Sequence, residues 1–303
     1  MEFHGVMPAI TTPFLESGEI DHAFLAEHAR WMIDEGCTAI VPLGSLGEGA
    51  TLDLDEKRAV LATLIAALGD RAPVMPGIAA LSTHQAVGLA RLAADLGCGG
   101  LMVLPPYLHK GEMRETIAHL DQVLAATSLP CMLYNNPVAY GVDLRPEIVA
   151  ELALRHENLV AVKESSGDVR RVTALEALVG GRLALFVGLD DCLVEGVRAG
   201  AVGWIAGLVN ALPAESVRLF DLALTGEDPV GLAALYRWFL PLLRLDTVPE
   251  FVQLIKLVQE ETGRGSERVR PPRLPLVGAA REAALATIRE ALAERPGGAG
   301  DEE

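Results

Sequence analysis

One lysine stands out among the residues that could do chemistry. The chain carries four lysines (Lys57, Lys110, Lys163 and Lys256) against 21 arginines. Lys163 closes the apolar run Leu159-Val160-Ala161-Val162. An amine that ends such a run and points into a core is desolvated, which lowers its pKa and frees the neutral form as a nucleophile. The bland alternative is a strand-end lysine paired with Glu or Asp. Tyr134 closes another apolar run and could move protons for a nearby amine; otherwise it is a rim tyrosine with its hydroxyl in water. Gly44-Ser45, just ahead of a helix start at Asp53, offers backbone N–H groups and a hydroxyl, a geometry that suits a carboxylate. Thr11-Thr12, Gly188 with Asp190-Asp191, and Ile205 fall at or beside the ends of further apolar runs.

Metal and thiol chemistry find no support. Cys37, Cys98, Cys131 and Cys192 lie far apart and near apolar runs, as small buried hydrophobes do. The seven histidines show no metal-ligand spacing, and His22 and His28 fall on a polar helical stretch where solvation is expected.

Elements must bring these residues together. The candidate strands are Val6–Thr11, Thr38–Leu43, Val74–Ile78, Gly100–Leu104, Cys131–Asn135, Leu159–Lys163, Leu183–Gly188 and Val202–Ala206. They read as continuous apolar runs, as parallel strands covered on both faces do. Between them lie helical patterns at Asp21–Glu35, Asp53–Leu68, Thr83–Leu96, Glu112–Ala126, Arg145–Arg155, Val169–Val179, Cys192–Ala199 and Ala214–Leu224. Asp21, Asp53, Ser82 and Asp168 are the expected caps. Eight β/α units of about 28 residues predict a (β/α)8 TIM barrel over residues 1–225. Absence of a G-x-G-x-x-G turn argues against an open dinucleotide-binding sheet. In such a barrel the site lies at the C-terminal ends of the strands, where the residues above fall. Val230–Leu245, Val248–Glu261 and Ala279–Ala293 predict a small helical C-terminal domain over 226–295. The Gly-rich acidic tail 296–303 is expected to be disordered.

Composition bounds the partners. The net charge of −16 and pI near 4.9 repel nucleic acid and anionic membrane. Apolar stretches end in Pro, Gly or charge before they can span a bilayer. Met1-Glu2-Phe3-His4-Gly5 has neither a basic n-region nor an apolar h-region, so a cytoplasmic location is expected.

Taken together, four segments resemble the dihydrodipicolinate synthase / N-acetylneuraminate lyase family of class I aldolases. They are Pro8-Ala9-Ile10-Thr11-Thr12-Pro13-Phe14, Gly44-Ser45-Leu46-Gly47-Glu48 with Ala50-Thr51-Leu52, Tyr134-Asn135-Asn136-Pro137, and Val162-Lys163-Glu164-Ser165. Their order and spacing match from about residue 4 to 294. The resemblance implies a β/α barrel with C-terminal helices, assembled as a homotetramer or dimer, and no cofactor. It implies that Lys163 forms the Schiff base, that Tyr134 transfers protons, and that Ser45 with its neighbouring amides holds the substrate carboxylate. Thr11, Gly44, Gly188 and Ile205 are expected to line the substrate.

Three positions depart from that pattern. The synthases carry Gly-Thr-Thr-Gly-Glu, and here the second threonine is Leu46. The resemblance places that threonine in a hydroxyl relay completed by a tyrosine of a neighbouring subunit, and Leu108 stands where that tyrosine belongs. An arginine that binds the aldehyde's carboxylate is replaced in the Val138-Ala139-Tyr140 stretch, at Ala139. Leucine cannot pass a proton, and a buried second carboxylate would lack its cation. Sialic acid lyases also keep a hydroxyl at the Leu46 position. The departures point to a catabolic lyase that cleaves, dehydrates or deaminates a small 2-oxo acid derived from sugar acids or hydroxyproline. Some such enzymes carry a bulky apolar residue at the Leu46 position. The alternatives are an authentic 4-hydroxy-tetrahydrodipicolinate synthase and a non-catalytic 2-oxo acid sensor. Retention of Lys163 and Tyr134 weighs against the sensor.

Overall fold

The computed structural model describes residues 2–296, so the expected disordered tail lies, beyond Pro296, outside the described residues. Seven parallel strands form one curled sheet: β1 (Gly5–Pro8), β2 (Gly77–Ile78), β3 (Leu101–Val103), β4 (Cys131–Asn135), β5 (Leu159–Glu164), β6 (Ala184–Val187) and β7 (Gly203–Ala206). Their order is β1-β7-β6-β5-β4-β3-β2. Helices fill the connections: α1 (His22–Asp34), α2 (Leu54–Leu68), α3 (Thr83–Leu96), α4 (Met113–Ala125), α5 (Pro137–Tyr140), α6 (Pro146–Arg155), α7 (Arg170–Val179), α8 (Leu193–Arg198) and α9 (Pro213–Thr225). The fold is TIM-barrel-like.

The expected strand Thr38–Leu43 is not a regular strand. It makes two isolated parallel bridges, Ala9↔Val41 and Ile40↔Val74, which link the β1 and β2 edges of the sheet. Val41 N donates to Pro8 O at 2.9 Å and Met75 N to Ile40 O at 2.8 Å. Pro42 has no N–H to extend the ladder, and Leu43 turns away with φ 64°.

Side chains alternate along each strand between two apolar environments. Met7, Val41, Met75, Met102, Met132, Tyr134, Ala161, Phe186 and Ile205 pack together inside the curl. A larger core lies between the sheet and the helices. Asp21, Asp53 and Ser82 cap α1, α2 and α3 as expected. Asp168 falls one residue early: α7 has Val169 at its N-cap position, while Asp168 accepts from Arg170 N at 3.2 Å.

After Gly226 the regular elements among the described residues are helical: α10 (Pro229–Leu243), a 3-10 turn at Arg244–Asp246, α11 (Phe251–Glu261) and, after a loop, α12 (Gly278–Ala293). Through α11 the expectation for His28 is corrected. His28 is 3 % exposed, on the same face of α1 as Leu25, Ala29 and Met32, and Gln259 of α11 contacts its Nε2 at 3.2 Å. Burial lowers its pKa to about 4. Cys37, Cys98 and Cys131 are buried and Cys192 half-buried. Burial pushes the first three thiols up to about 12, which leaves them inert. Among the described residues no helix is long and apolar enough to cross a membrane.

Candidate active site

The alternation of β5 settles where its charged end points. Ala161 lies in the interior cluster, so Lys163, two residues on, faces the same way. Glu164 faces the opposite side, where Asn135 Nδ2 at 3.0 Å and Ser166 N at 2.6 Å donate to it. Its carboxylate therefore does not neutralise the lysine. Lys163 is 6 % exposed. Burial lowers its pKa, and the charges of Asp246 and Asp190 pull it partly back. Gly188 makes the room: a Cβ there would stand 2.6 Å from Lys163 Cε and would overlap Ser165 Oγ.

Tyr134 is Lys163's neighbour in the β4–β5 register and is also 6 % exposed, so it is not a rim residue in water. The amine lies 4.3 Å from its ring centroid. Burial raises the phenol's pKa, and Asn136 Nδ2 donates to its oxygen at 3.1 Å. The same asparagine shapes the next turn. Its Oδ1 accepts from Ala139 N at 3.0 Å, Pro137 opens the single turn of α5, and Gly141 ends it with φ 71°. This turn delivers Tyr140, whose ring stands edge-on to Tyr134 at 5.6 Å. The Tyr140 hydroxyl forms a short hydrogen bond with Ser45 Oγ.

The Ser45 turn is pinned from behind. Leu43 and Glu48 adopt left-handed conformations, with φ 64° and 52°. Thr12 Oγ1 donates to Gly47 O at 2.6 Å. Lys256 Nζ of α11 donates to Glu48 Oε1 at 2.5 Å and to Thr12 O at 2.8 Å, and Arg270 N donates to Glu48 Oε2 at 2.9 Å. Thr11 points to the same helix, its hydroxyl donating to Gln259 Oε1 at 2.9 Å. Its hydroxyl proton is thus committed within the protein rather than offered to a substrate. Ile205 packs with Tyr134 in the interior cluster.

Residues 2–291 match the dihydrodipicolinate synthetase family. The 4-hydroxy-tetrahydrodipicolinate synthase of Geobacter metallireducens is 32% identical over 292 residues, covering 95% of this chain and 98% of its own. The chain belongs to the dihydrodipicolinate synthetase family. It is accordingly a lyase of the class I aldolase type. A putative dihydrodipicolinate synthetase from Pseudomonas aeruginosa superposes with a TM-score of 0.90 at 31% identity, covering 96% of this chain and 100% of that one. The chloride-inhibited dihydrodipicolinate synthase from Acinetobacter baumannii, solved with pyruvate, gives 0.89 at 30% identity, covering 95% and 98%.

The altered family positions have distinct surroundings in this dihydrodipicolinate synthetase family member. Leu46 is buried in the apolar core between sheet and helices. Leu108 is 77 % exposed with φ 70°. Ala139 lies on α5 between exposed Val138 and the inward Tyr140. Sequence reasoning assigned Tyr140 no role, yet its hydroxyl is the one that meets Ser45 and its ring the one that meets Tyr134. Hydroxyl chemistry therefore reaches the Ser45 turn from within one chain, despite Leu46 and Leu108.

Two acids complete the site. Asp190 is fully buried and accepts from Trp204 Nε1 at 3.0 Å, Gly207 N at 3.1 Å and Leu208 N at 2.9 Å. Asp246 reaches the strand ends from the turn after α10, and sequence reasoning missed it. No motif marks it; only its position in the helical C-terminal region could have raised it.

Proposed function

We propose that this protein is a Schiff-base lyase acting on a small 2-oxo acid in a catabolic cleavage, dehydration or deamination. The observation that carries the reading is the buried amine of Lys163 beside the buried phenol of Tyr134. The Lys163 amine attacks the 2-oxo carbon while the Ser45 turn holds the carboxylate. Tyr134 gives its proton to the carbinolamine hydroxyl, which departs as water and leaves an iminium; the Tyr134 phenolate that remains then takes a proton from C3 to form the enamine. A relative solved with pyruvate supports a 2-oxo acid as substrate. No cofactor enters this scheme. The same reading takes residues 1–225 as an eight-fold β/α barrel, 226–295 as a helical domain, and the assembly as a homotetramer or dimer.

The catabolic direction rests on Ala139, which offers no cation for a second carboxylate, and on two acids, Asp190 and Asp246, near enough for their charges to act on Lys163. An authentic synthase is the second reading, favoured by the Ser45–Tyr140 hydrogen bond, which could stand in for a relay. A coupled assay at matched enzyme concentration separates them. It compares condensation of pyruvate with aspartate semialdehyde against turnover of hydroxylated and ring-imine 2-oxo acids. Negligible condensation with turnover of the second set is expected, because a buried anion without its cation costs several kcal/mol, or about 10³ in rate. Condensation as the dominant activity would overturn the catabolic reading.

A further inference from the structure

Two buried acids, Asp190 and Asp246, act through their charge on Lys163, and they are not equivalent. Asp190 is saturated by the indole N–H and two backbone amides that it accepts. Asp246 Oδ1 is buried and has no hydrogen-bond partner. Its carboxyl lies against Gly207, directly after β7, where a Cβ would overlap it. That places it among the same strand ends as Lys163 and Gly188. Arg244, two residues before it, reaches toward Asp191 instead, at 3.9 Å. An orphaned buried carboxyl oxygen is costly and needs an explanation.

We infer that Asp246 is the general acid that protonates a hydroxyl or amino group leaving from C4 of the 2-oxo acid bound to Lys163. The inference rests on the Schiff-base reading above. The group is built to start protonated, because burial and the neighbouring Asp190 raise its pKa well above the usual carboxylate range. The enamine nitrogen lone pair re-forms the C2=N iminium, the C2=C3 pair becomes C3=C4, and the C4–O or C4–N bond breaks with its pair on the heteroatom. That heteroatom takes the proton of Asp246 and departs as water or an amine, leaving the Asp246 carboxylate. Hydrolysis of the iminium then releases a C3=C4 unsaturated 2-oxo acid, and solvent reprotonates Asp246. The preferred substrates are 2-oxo acids with a hydroxyl or amine at C4, since Asp246 holds a proton for a heteroatom leaving there, whereas a carboxylate would find no cation at Ala139.

The test uses the full-length protein and its Asp246→Asn variant, which keeps the shape and cannot transfer the proton. Three readouts are taken: turnover of the best 4-hydroxy-2-oxo acid, turnover of its 4-fluoro counterpart, and borohydride trapping of pyruvate on Lys163. Fluoride leaves without a proton, and pyruvate has no C4. The variant is expected to lose about 10²- to 10⁴-fold on the hydroxy substrate. On the fluoro substrate and in pyruvate trapping it is expected to stay within roughly threefold of the parent, a difference too small to reflect loss of an acid. Equal losses on both C4 substrates would overturn the inference in favour of a structural role, and so would no loss on either. It is also overturned if the parent protein eliminates nothing from C4, or performs only retro-aldol cleavage, in which the C4 hydroxyl gives up a proton. In those cases pyruvate trapping on Lys163 still stands as support for the Schiff base. Failure of trapping in the parent protein overturns both readings.

Discussion

Tyr134 and Lys163 stand side by side at the ends of neighbouring parallel strands, with the lysine amine 4.3 Å from the centroid of the phenol ring. Their order in the sheet fixes this spacing, because paired residues on parallel strands carry their side chains on the same face. The phenol therefore lies within reach of a group held at the amine.

Borohydride with pyruvate is expected to add mass at Lys163 and to abolish activity, since only an iminium is reduced to a stable amine. Because burial lowers the Lys163 pKa, the neutral amine persists to lower pH than for an exposed lysine. Trapping should therefore begin below the ordinary lysine range and increase as pH rises. Lys163→Arg should give no adduct. Peptide mapping decides the matter: modification of Lys57, Lys110 or Lys256 instead would remove Lys163 from the mechanism.

Tyr134→Phe is expected to slow Schiff-base formation by about 10²- to 10⁴-fold with the fold retained, the usual reach of acid–base catalysis. Tyr140→Phe removes only the hydrogen bond to Ser45 and should cost about tenfold or less. Stopped-flow kinetics with pyruvate measures both. A larger loss at Tyr140 than at Tyr134 would reverse the assigned roles.

The Glu48–Lys256 pair is sealed from solvent on both sides. Lys256→Met should destabilise the protein by about 3–5 kcal/mol, because it leaves a buried carboxylate short of its partner. The double variant Glu48→Gln, Lys256→Met should lose less than the two single losses added together. Urea unfolding curves for the four proteins provide the check. Simple additivity would mean that the two side chains act independently.

His28 predicts an acid-sensitive stability. Its folded pKa is lowered to about 4 from 6.5, so between those values the unfolded chain binds more protons than the folded one. Its neutral burial costs nothing above about 6.5; stability then falls as pH drops, and the decline from this group flattens below about 4. The total reaches about 3 kcal/mol at roughly 1.4 kcal/mol per pKa unit. His28→Gln should flatten that part of the pH profile of thermal unfolding. An unchanged slope would assign the acid sensitivity to other groups.

Much of the site was legible because strand ends announce themselves. Lys163 and Tyr134 close apolar runs, and the run lengths gave β4 and β5 to within a residue. Thr38–Leu43 misled because apolar character says nothing about ladder regularity, and Pro42 with left-handed Leu43 limits that segment to bridges. His28 was readable in hindsight: with Leu25, Ala29 and Met32 it completes an i, i+3, i+4, i+7 face. Polar neighbours hid that spacing. Asp246 carries no motif, only a position in the helical C-terminal region. Nothing around it in the chain shows that the turn after α10 brings it against Gly207, since that placement is set by how α10 and α11 pack.

The pinning of the Ser45 turn has a consequence for biosynthesis. Glu48 is satisfied by partners 208 and 222 positions further along the chain. At elongation rates of about 5–20 residues per second, that interval occupies roughly 10–45 s. Throughout it the nascent polypeptide already holds the turn and, for much of the time, Lys163 and Tyr134, but lacks the groups that lock the turn in place. A ribosome product that stops short of Arg270 therefore carries Lys163 and Tyr134 without all the groups that fix the Ser45 turn. The turn is therefore locked late, first when Lys256 and then when Arg270 has been made.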